Sequence, residues 1–395
     1  MNRKLVLLGS LYLAQGLPYG FFTQALPVLL RNQGLALPLI GLAQLLMLPW
    51  ALKFLWAPLV DRVEAPRRGR RRAVIVPLQL ACILVLATLA LAATPGAMWA
   101  LCVGVLLVNL FAATQDIATD ALAVETLAPD ERGLGNGLQV GAYRVGMVIG
   151  GGAILWVFGR AGWTVAFLAM AGLLAVASVP IVLHREAPAQ PTPRPKAGLL
   201  RDALARPGFA AWAVVLVTYK TGEWFATAML RTFLTDAGQS IDQLGVMIGI
   251  VGFSAALAGS LIGGAATAWL GRRRALVGFG VLQTLAIGSM SLAVIAPSVP
   301  MFYAITVAEH LTSGMATAAL FTAMMDFSRP NAAGTDYTVQ ASIVVIATGA
   351  ATLLSGVSAH ALGYASHFVV AAALSAVGTI AVLAYRPRSR ELAFL

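Results

Sequence analysis

Charge is scarce in this chain. Asp, Glu, Lys and Arg make up 11% of its 395 residues, against roughly a quarter in a soluble domain. A water-soluble surface cannot be assembled from that supply. Cysteine is scarcer still. Cys82 and Cys102 both lie in apolar runs, which excludes a disulfide framework and a metal-binding spacing; both read as small core hydrophobes. The four histidines, His184, His310, His360 and His367, are dispersed. There is no His-Glu-x-x-His, no Gly-x-Ser-x-Gly and no phosphate-cradling glycine loop. These absences argue against an enzyme, a resident metal, a cofactor and ATP drive.

What the chain has instead is apolar sequence: 59% of residues, with a mean hydropathy of +0.82. A bilayer-spanning helix needs about 20 mostly apolar residues, and it satisfies its own backbone polar groups where lipid cannot. Twelve such spans are predicted: 5–30, 38–59, 73–93, 97–124, 133–158, 162–183, 207–234, 241–268, 275–295, 299–325, 336–360 and 366–385. The N-terminus, Met1-Asn2-Arg3-Lys4 before an apolar run, imitates a signal peptide. The run is too long and lacks a small-residue cleavage site, so an uncleaved first helix is expected.

The formal net charge of +11 is explained by topology, not by nucleic acid. Of the 27 Lys and Arg, 21 fall at one end of the predicted spans, including Arg70-Arg71-Arg72 and Arg272-Arg273-Arg274. The other end has only Arg31 and Arg160. The positive-inside rule then makes both termini cytoplasmic.

The segment 185–206 interrupts the pattern with Pro188, Pro191, Pro193 and Pro195 and reads as a cytoplasmic linker. Six spans precede it, in residues 1–184, and six follow, in 207–395. The halves look like diverged copies: at an offset of 201, Glu125 aligns with Asp326, Gly133 with Gly334 and Gln139 with Gln340. The expected fold is therefore an all-α integral membrane protein, twelve transmembrane helices in two six-helix pseudo-symmetric bundles. That arrangement resembles the major facilitator fold.

A charged side chain at bilayer depth costs at least about 2.5–3.5 kcal/mol, so each one needs a partner, a wet cavity or a task. Such residues are Lys53 in span two, Asp116 and Asp120 in span four, Arg144 in span five, Lys220 and Glu223 in span seven, and Glu309 and His310 in span ten. Spans three, six, nine and twelve have none in their interiors. Asp116 and Asp120, four residues apart, share a helix face and are either a proton carrier or partners of Lys53 or Arg144 that fix packing. Lys220 and Glu223 are expected to pair with each other, serving substrate recognition, a proton-linked switch or only self-neutralisation. Glu309 is favoured over His310 as a coupling residue, and adjacency is expected to turn the two to different neighbours. Gln15, Tyr19 and Gln24 are polar and aromatic cavity candidates on the first span, where Gly16, Pro18 and Gly20 either permit a bend beside the cavity or are ordinary helix irregularity.

Small residues repeat along span eight (Gly245, Gly249, Gly252, Ala256, Gly259, Gly263) and span five (Ala142, Gly146, Gly150, Ala153), and read as packing ridges. Asp61 ends span two beside Arg62, where its carboxylate opposes its own helix dipole. It is expected to find an arginine of the following loop or the N-terminus of a facing helix, a contact suited to gating.

Several strings are similar to the muropeptide permease (AmpG-like) family: Lys53-Phe54-Leu55-Trp56-Ala57-Pro58-Leu59-Val60-Asp61-Arg62, Gln115-Asp116-Ile117-Ala118-Thr119-Asp120-Ala121, Glu131-Arg132-Gly133 and Tyr143-Arg144-Val145-Gly146-Met147. The resemblance is dense over residues 10–160. It implies a bacterial inner-membrane importer driven by protons, with Lys53, Asp116, Asp120 and Arg144 at the family's charged motif positions. A sister branch of short permeases resembles carriers of iron-siderophore chelates. Two features lean towards that branch: the end of the chain soon after span twelve, and the stretch from Glu309 to Gln340. The expected cargo is thus a siderophore, with an anhydro-muropeptide as the alternative. The expected partners are a solute, protons and lipid, and a monomer is expected.

Overall fold

The computed structural model describes residues 3–32, 44–63, 69–92, 98–186 and 199–385. Residues 187–198 of the expected linker, the first part of the second span, and Arg67, Arg68, Arg386, Arg388 and Arg390 lie outside the described residues. Among the described residues every regular element is helical.

Seven helical stretches are apolar and long enough to cross a bilayer. Two of them, Arg132–Leu183 and Pro330–Ala384, are double spans. Each turns back at a glycine with positive φ, Gly162 (77°) and Gly363 (73°), where a side chain would strain the backbone. Three further helices complete the set: one of short pieces, one broken in its middle, and Val299–Phe327. In chain order they are α1 (3–32), α2 (44–62), α3 (Arg72–Ala92), α4 (Met98–Thr126), α5 (132–161), α6 (163–183), α7 (209–236), α8 (241–270), α9 (Arg272–Ile295), α10 (Val299–Phe327), α11 (333–362) and α12 (364–384). The protein is an all-α, twelve-helix membrane protein.

The described chain forms two compact units. The first comprises Met1–Thr126, Ala142–Leu200 and Arg329–Thr338; the second comprises Leu127–Gly141, Arg201–Ser328 and Val339–Leu395. This division differs from a cut at the linker by two short segments. Glycine explains the first. In the second unit a Cβ on Gly133 or Gly137 would strike the carbonyl oxygens of Gly264 or Ser260, so the start of α5 lies backbone-to-backbone on α8. In the first unit, the start of α11 is held by Asp61, as described below.

Each unit has its own apolar core. In the first, Phe21, Leu86, Val108 and Phe167 are buried together; in the second, Leu230, Phe233, Ile287, Met290 and Phe368. The small-residue ridge of α5 packs on α1: a Cβ on Gly146 would overlap the Leu13 carbonyl oxygen, and one on Gly16 the Tyr143 carbonyl oxygen. Gly16 and Gly20 therefore serve close approach, and the irregularity of α1 follows them as a π-helical turn at Phe21–Ala25. Along α8 the ridge divides. Gly259 and Gly263 meet Leu311 and Met315 of α10, whereas Gly245 and Gly249 meet nothing within 4 Å.

The repeat is visible in hydrogen bonds. Arg72 donates to the Val182 carbonyl (2.6 Å), and Arg273, 201 residues on, donates to Leu383 (2.8 Å). Lys4 donates to the Thr126 carbonyl (3.2 Å) and Arg206 to Phe327. In each case a cation closes the carbonyl end of a helix, the end the dipole makes negative.

Candidate functional site

Among the described residues, both buried lysines, Lys53 and Lys220, sit where their helix is interrupted. In α2, the α-helical turn Leu48–Leu52 gives way at Lys53–Leu55 to a 3-10 turn, and Ala57–Arg62 resumes the helix. Pro49 and Pro58 remove backbone donors on either side. In α7, Phe209–Thr218 ends and Thr221–Asp236 begins with Lys220 between them. Broken helices at membrane depth occur where they are buried in protein or line a wet cavity.

In the first unit Lys53, 4% exposed, forms an ion pair with Asp116 of α4. One turn further along α4, Asp120 accepts a hydrogen bond from the Tyr12 hydroxyl at 2.9 Å. Two indole N–H groups fix α2 against α4: Trp50 donates to Asn109 (3.0 Å) and Trp56 to Thr114 (3.1 Å). The Trp50 ring centroid lies 5.6 Å from the Lys53 ammonium. Tyr19 touches both Trp50 (centroids 5.6 Å, edge-on) and Tyr143 (5.5 Å). Gln15 is buried one turn before Tyr19, and neither atom of its amide has a hydrogen-bond partner.

The second unit holds a second polar cluster. Lys220 pairs with Glu223, which lies in the first turn of its helix segment where a carboxylate suits the dipole. Glu223 also accepts from Ser313 of α10 (2.8 Å) and from Gln283 of α9. One turn along α7, Thr227 donates to Glu309 at 3.0 Å. Glu309 and His310 meet different neighbours, Thr227 of α7 and Gly252 of α8, although the His310 Nδ1 also lies 2.5 Å from the Glu309 carboxylate.

A third constellation lies at the end of the helices that carries the basic loops. The Asp61 carboxylate, 2% exposed, accepts from Arg71 (2.8 Å) and Arg70 (3.3 Å). It also accepts from the N–H of Gly334 (3.2 Å), and from the N–H (2.6 Å) and hydroxyl (2.7 Å) of Thr335. Both partners expected of it, a loop arginine and a helix N-terminus, are present together. Arg71 is fully buried and also pairs with Glu125 at 2.6 Å. Burial opposes its charge, but Glu125 and Asp61 more than offset this and raise its pKa above the ordinary arginine value. Glu186 caps the start of α3, accepting from the N–H of Arg71 (3.0 Å) and Arg72 (3.1 Å). The second unit repeats the theme: Asp326 pairs with Arg132 (2.7 Å) and Arg272 (2.6 Å).

The residues singled out in the sequence thus fall into separate clusters. Lys53, Asp116, Asp120 and Tyr19 come together in the first unit; Lys220, Glu223, Glu309 and His310 do so in the second. Arg144 is half-buried on α5 beside Tyr143. Gln24 is exposed and lies against Gly151 in the π-helical turn Ile149–Ala153. Arg62 is exposed and enters no ion pair among the described residues; Arg70, Arg71 and Glu125 hold Asp61 instead. Tyr12, Trp50, Thr227, Gln283 and Ser313 do not announce themselves, because an uncharged polar residue in an apolar span is common.

The Major Facilitator Superfamily model matches residues 8–234. An uncharacterized protein of Haemophilus influenzae is 29% identical over 408 residues, 99% of this chain and 96% of that protein. The anhydromuropeptide permease of Escherichia coli K12 is 29% identical over 386 residues, covering 94% of this chain and 78% of the permease. Among solved structures, the human organic anion transporter MFSD10 superposes with a TM-score of 0.73 at 18% identity, over 96% of this chain and 98% of that one. The family match covers more than half the sequence and the structural likeness nearly all of it: the chain belongs to the major facilitator superfamily.

Proposed function

We propose that this secondary transporter imports anhydro-muropeptides, the sugar-peptide fragments of peptidoglycan, across the bacterial inner membrane in symport with protons. The cargo is inferred from similarity along nearly the whole chain to the E. coli anhydromuropeptide permease. That similarity favours the muropeptide over the siderophore to which the stretch from Glu309 to Gln340 leans. The observation that carries the coupling is the buried Lys53–Asp116 pair with Asp120 one turn away on the same helix. Two carboxylates one turn apart on a helix at membrane depth are suited to relaying a proton. Glu223 and Glu309 are the corresponding candidates in the second unit. Both termini are assigned to the cytoplasm from the basic loops, and the working unit is taken as a monomer.

The test is uptake of a labelled anhydro-muropeptide into proteoliposomes energised by an inward proton gradient. Wild-type protein accumulates it, and a protonophore abolishes the accumulation. Asp116→Asn and Asp120→Asn lose gradient-driven accumulation yet retain exchange of the ligand across the membrane. Normal accumulation in both variants defeats the carboxylate coupling. Absence of any wild-type uptake, with uptake of an iron-siderophore chelate instead, replaces the cargo.

A further inference from the structure

The aromatic cluster of the first unit is not explained by packing alone. Its three rings come from three helices, Tyr19 from α1, Trp50 from α2 and Tyr143 from α5, and all three are partly exposed. The neighbouring cluster of Phe21 and Phe167 is fully buried core, with centroids 5.3 Å apart. The positions are fixed from behind. Glycines at 16 and 146 bring α1 and α5 into backbone contact, and the Trp50 indole is anchored to Asn109. The internal repeat supplies a control. The residues 201 positions after Tyr19, Trp50 and Tyr143 are Lys220, Val251 and Val344. The scaffold is built a second time without the aromatics, so the fold itself does not require them.

Partly exposed ring faces inside a membrane protein suit a ligand with apolar faces and polar edges. One turn before Tyr19, on the same helix face, Gln15 supplies a buried amide whose donor and acceptor are both unpartnered. Leaving such a group unsatisfied is costly, so it is a place where a ligand's hydroxyl or amide gains by binding. A muropeptide has two chemically distinct parts. Its peptide carries carboxylates, which seek cations. Its amino sugars present a face of C–H bonds that stacks on aromatic rings, with hydroxyl and acetamido groups at the edge.

We infer that Tyr19, Trp50 and Tyr143, with Gln15 beside them, form the seat of the ligand's sugar part. This rests on the muropeptide reading above. The experiment measures uptake of intact anhydro-muropeptide in proteoliposomes in competition with two probes, the anhydro-disaccharide without peptide and the free stem peptide. The disaccharide competes and the peptide does not. Tyr19→Leu raises KM about tenfold with the maximal rate unchanged, the loss of about one stacking contact, while Tyr19→Phe keeps KM within about twofold. If the leucine variant is not recovered in the membrane, Tyr143→Leu against Tyr143→Phe gives the same comparison, and the wild-type competition stands independently. Competition by the peptide alone, or an unchanged KM in a folded leucine variant, overturns the seat. If wild-type protein takes up no muropeptide at all, the cargo reading fails first; normal uptake without disaccharide competition refutes only the seat.

Discussion

Replacing Asp61 by Asn keeps the side chain's shape and removes its charge. The carboxylate is buried and holds two arginines together with the N-terminus of α11. Breaking a buried pair by removing one charge costs about 3–5 kcal/mol. Here the lower end applies, because Glu125 still neutralises Arg71 at 2.6 Å. About 3 kcal/mol is two powers of ten in the ratio of held to released α11. The assay uses a single cysteine at Ala332, fully buried beside the contact, with Cys82 and Cys102 replaced by Ser. Labelling by a charged thiol reagent from the side of the basic loops should speed up about 100-fold in Asp61→Asn. Arg62→Ala is the control and should change nothing, since Arg62 is exposed. A less than about threefold difference between Asp61→Asn and the parent refutes the reasoning, because the carboxylate would then not hold α11.

Gly146→Val should lower the thermal unfolding midpoint in detergent by several degrees, since its Cβ overlaps the Leu13 carbonyl oxygen and overpacking costs about 1–3 kcal/mol; Gly152→Ala, which meets nothing within 4 Å, should not. Glu223→Gln strips Lys220 of its carboxylate inside the protein and should destabilise by about 3–5 kcal/mol, with much of the loss recovered in Lys220→Met/Glu223→Gln, as a double-mutant comparison of unfolding midpoints reports. Gln15→Leu removes an unsatisfied buried amide and should raise the unfolding midpoint while weakening ligand binding, read by calorimetry with the disaccharide.

The number of helices and their basic ends were legible in the sequence because both obey one-dimensional rules: lipid demands about 20 apolar residues per span, and Lys and Arg mark one side. The pairing of Lys220 with Glu223 was legible for the same reason, being a matter of helical spacing. So was the repeat, which the structure carries down to the matched clasps of Arg72 on Val182 and Arg273 on Leu383. Asp61 was marked by its conflict with its own dipole, which told that a partner existed but not that two kinds would act at once.

What only the tertiary structure decided is which distant residues meet. Lys53 had two carboxylates within reach on one helix face and took Asp116, while Asp120 took the Tyr12 hydroxyl from α1. Gln283 joined Glu223 because α9 packs at that depth, and no periodicity encodes depth. The aromatic cluster depends on glycines that let α1 and α5 touch; the sequence displayed those glycines but not their partners. Composition and spacing act along the chain, so they fix the helices. Partner choice depends on crossing geometry and depth, which are set only when all the helices pack.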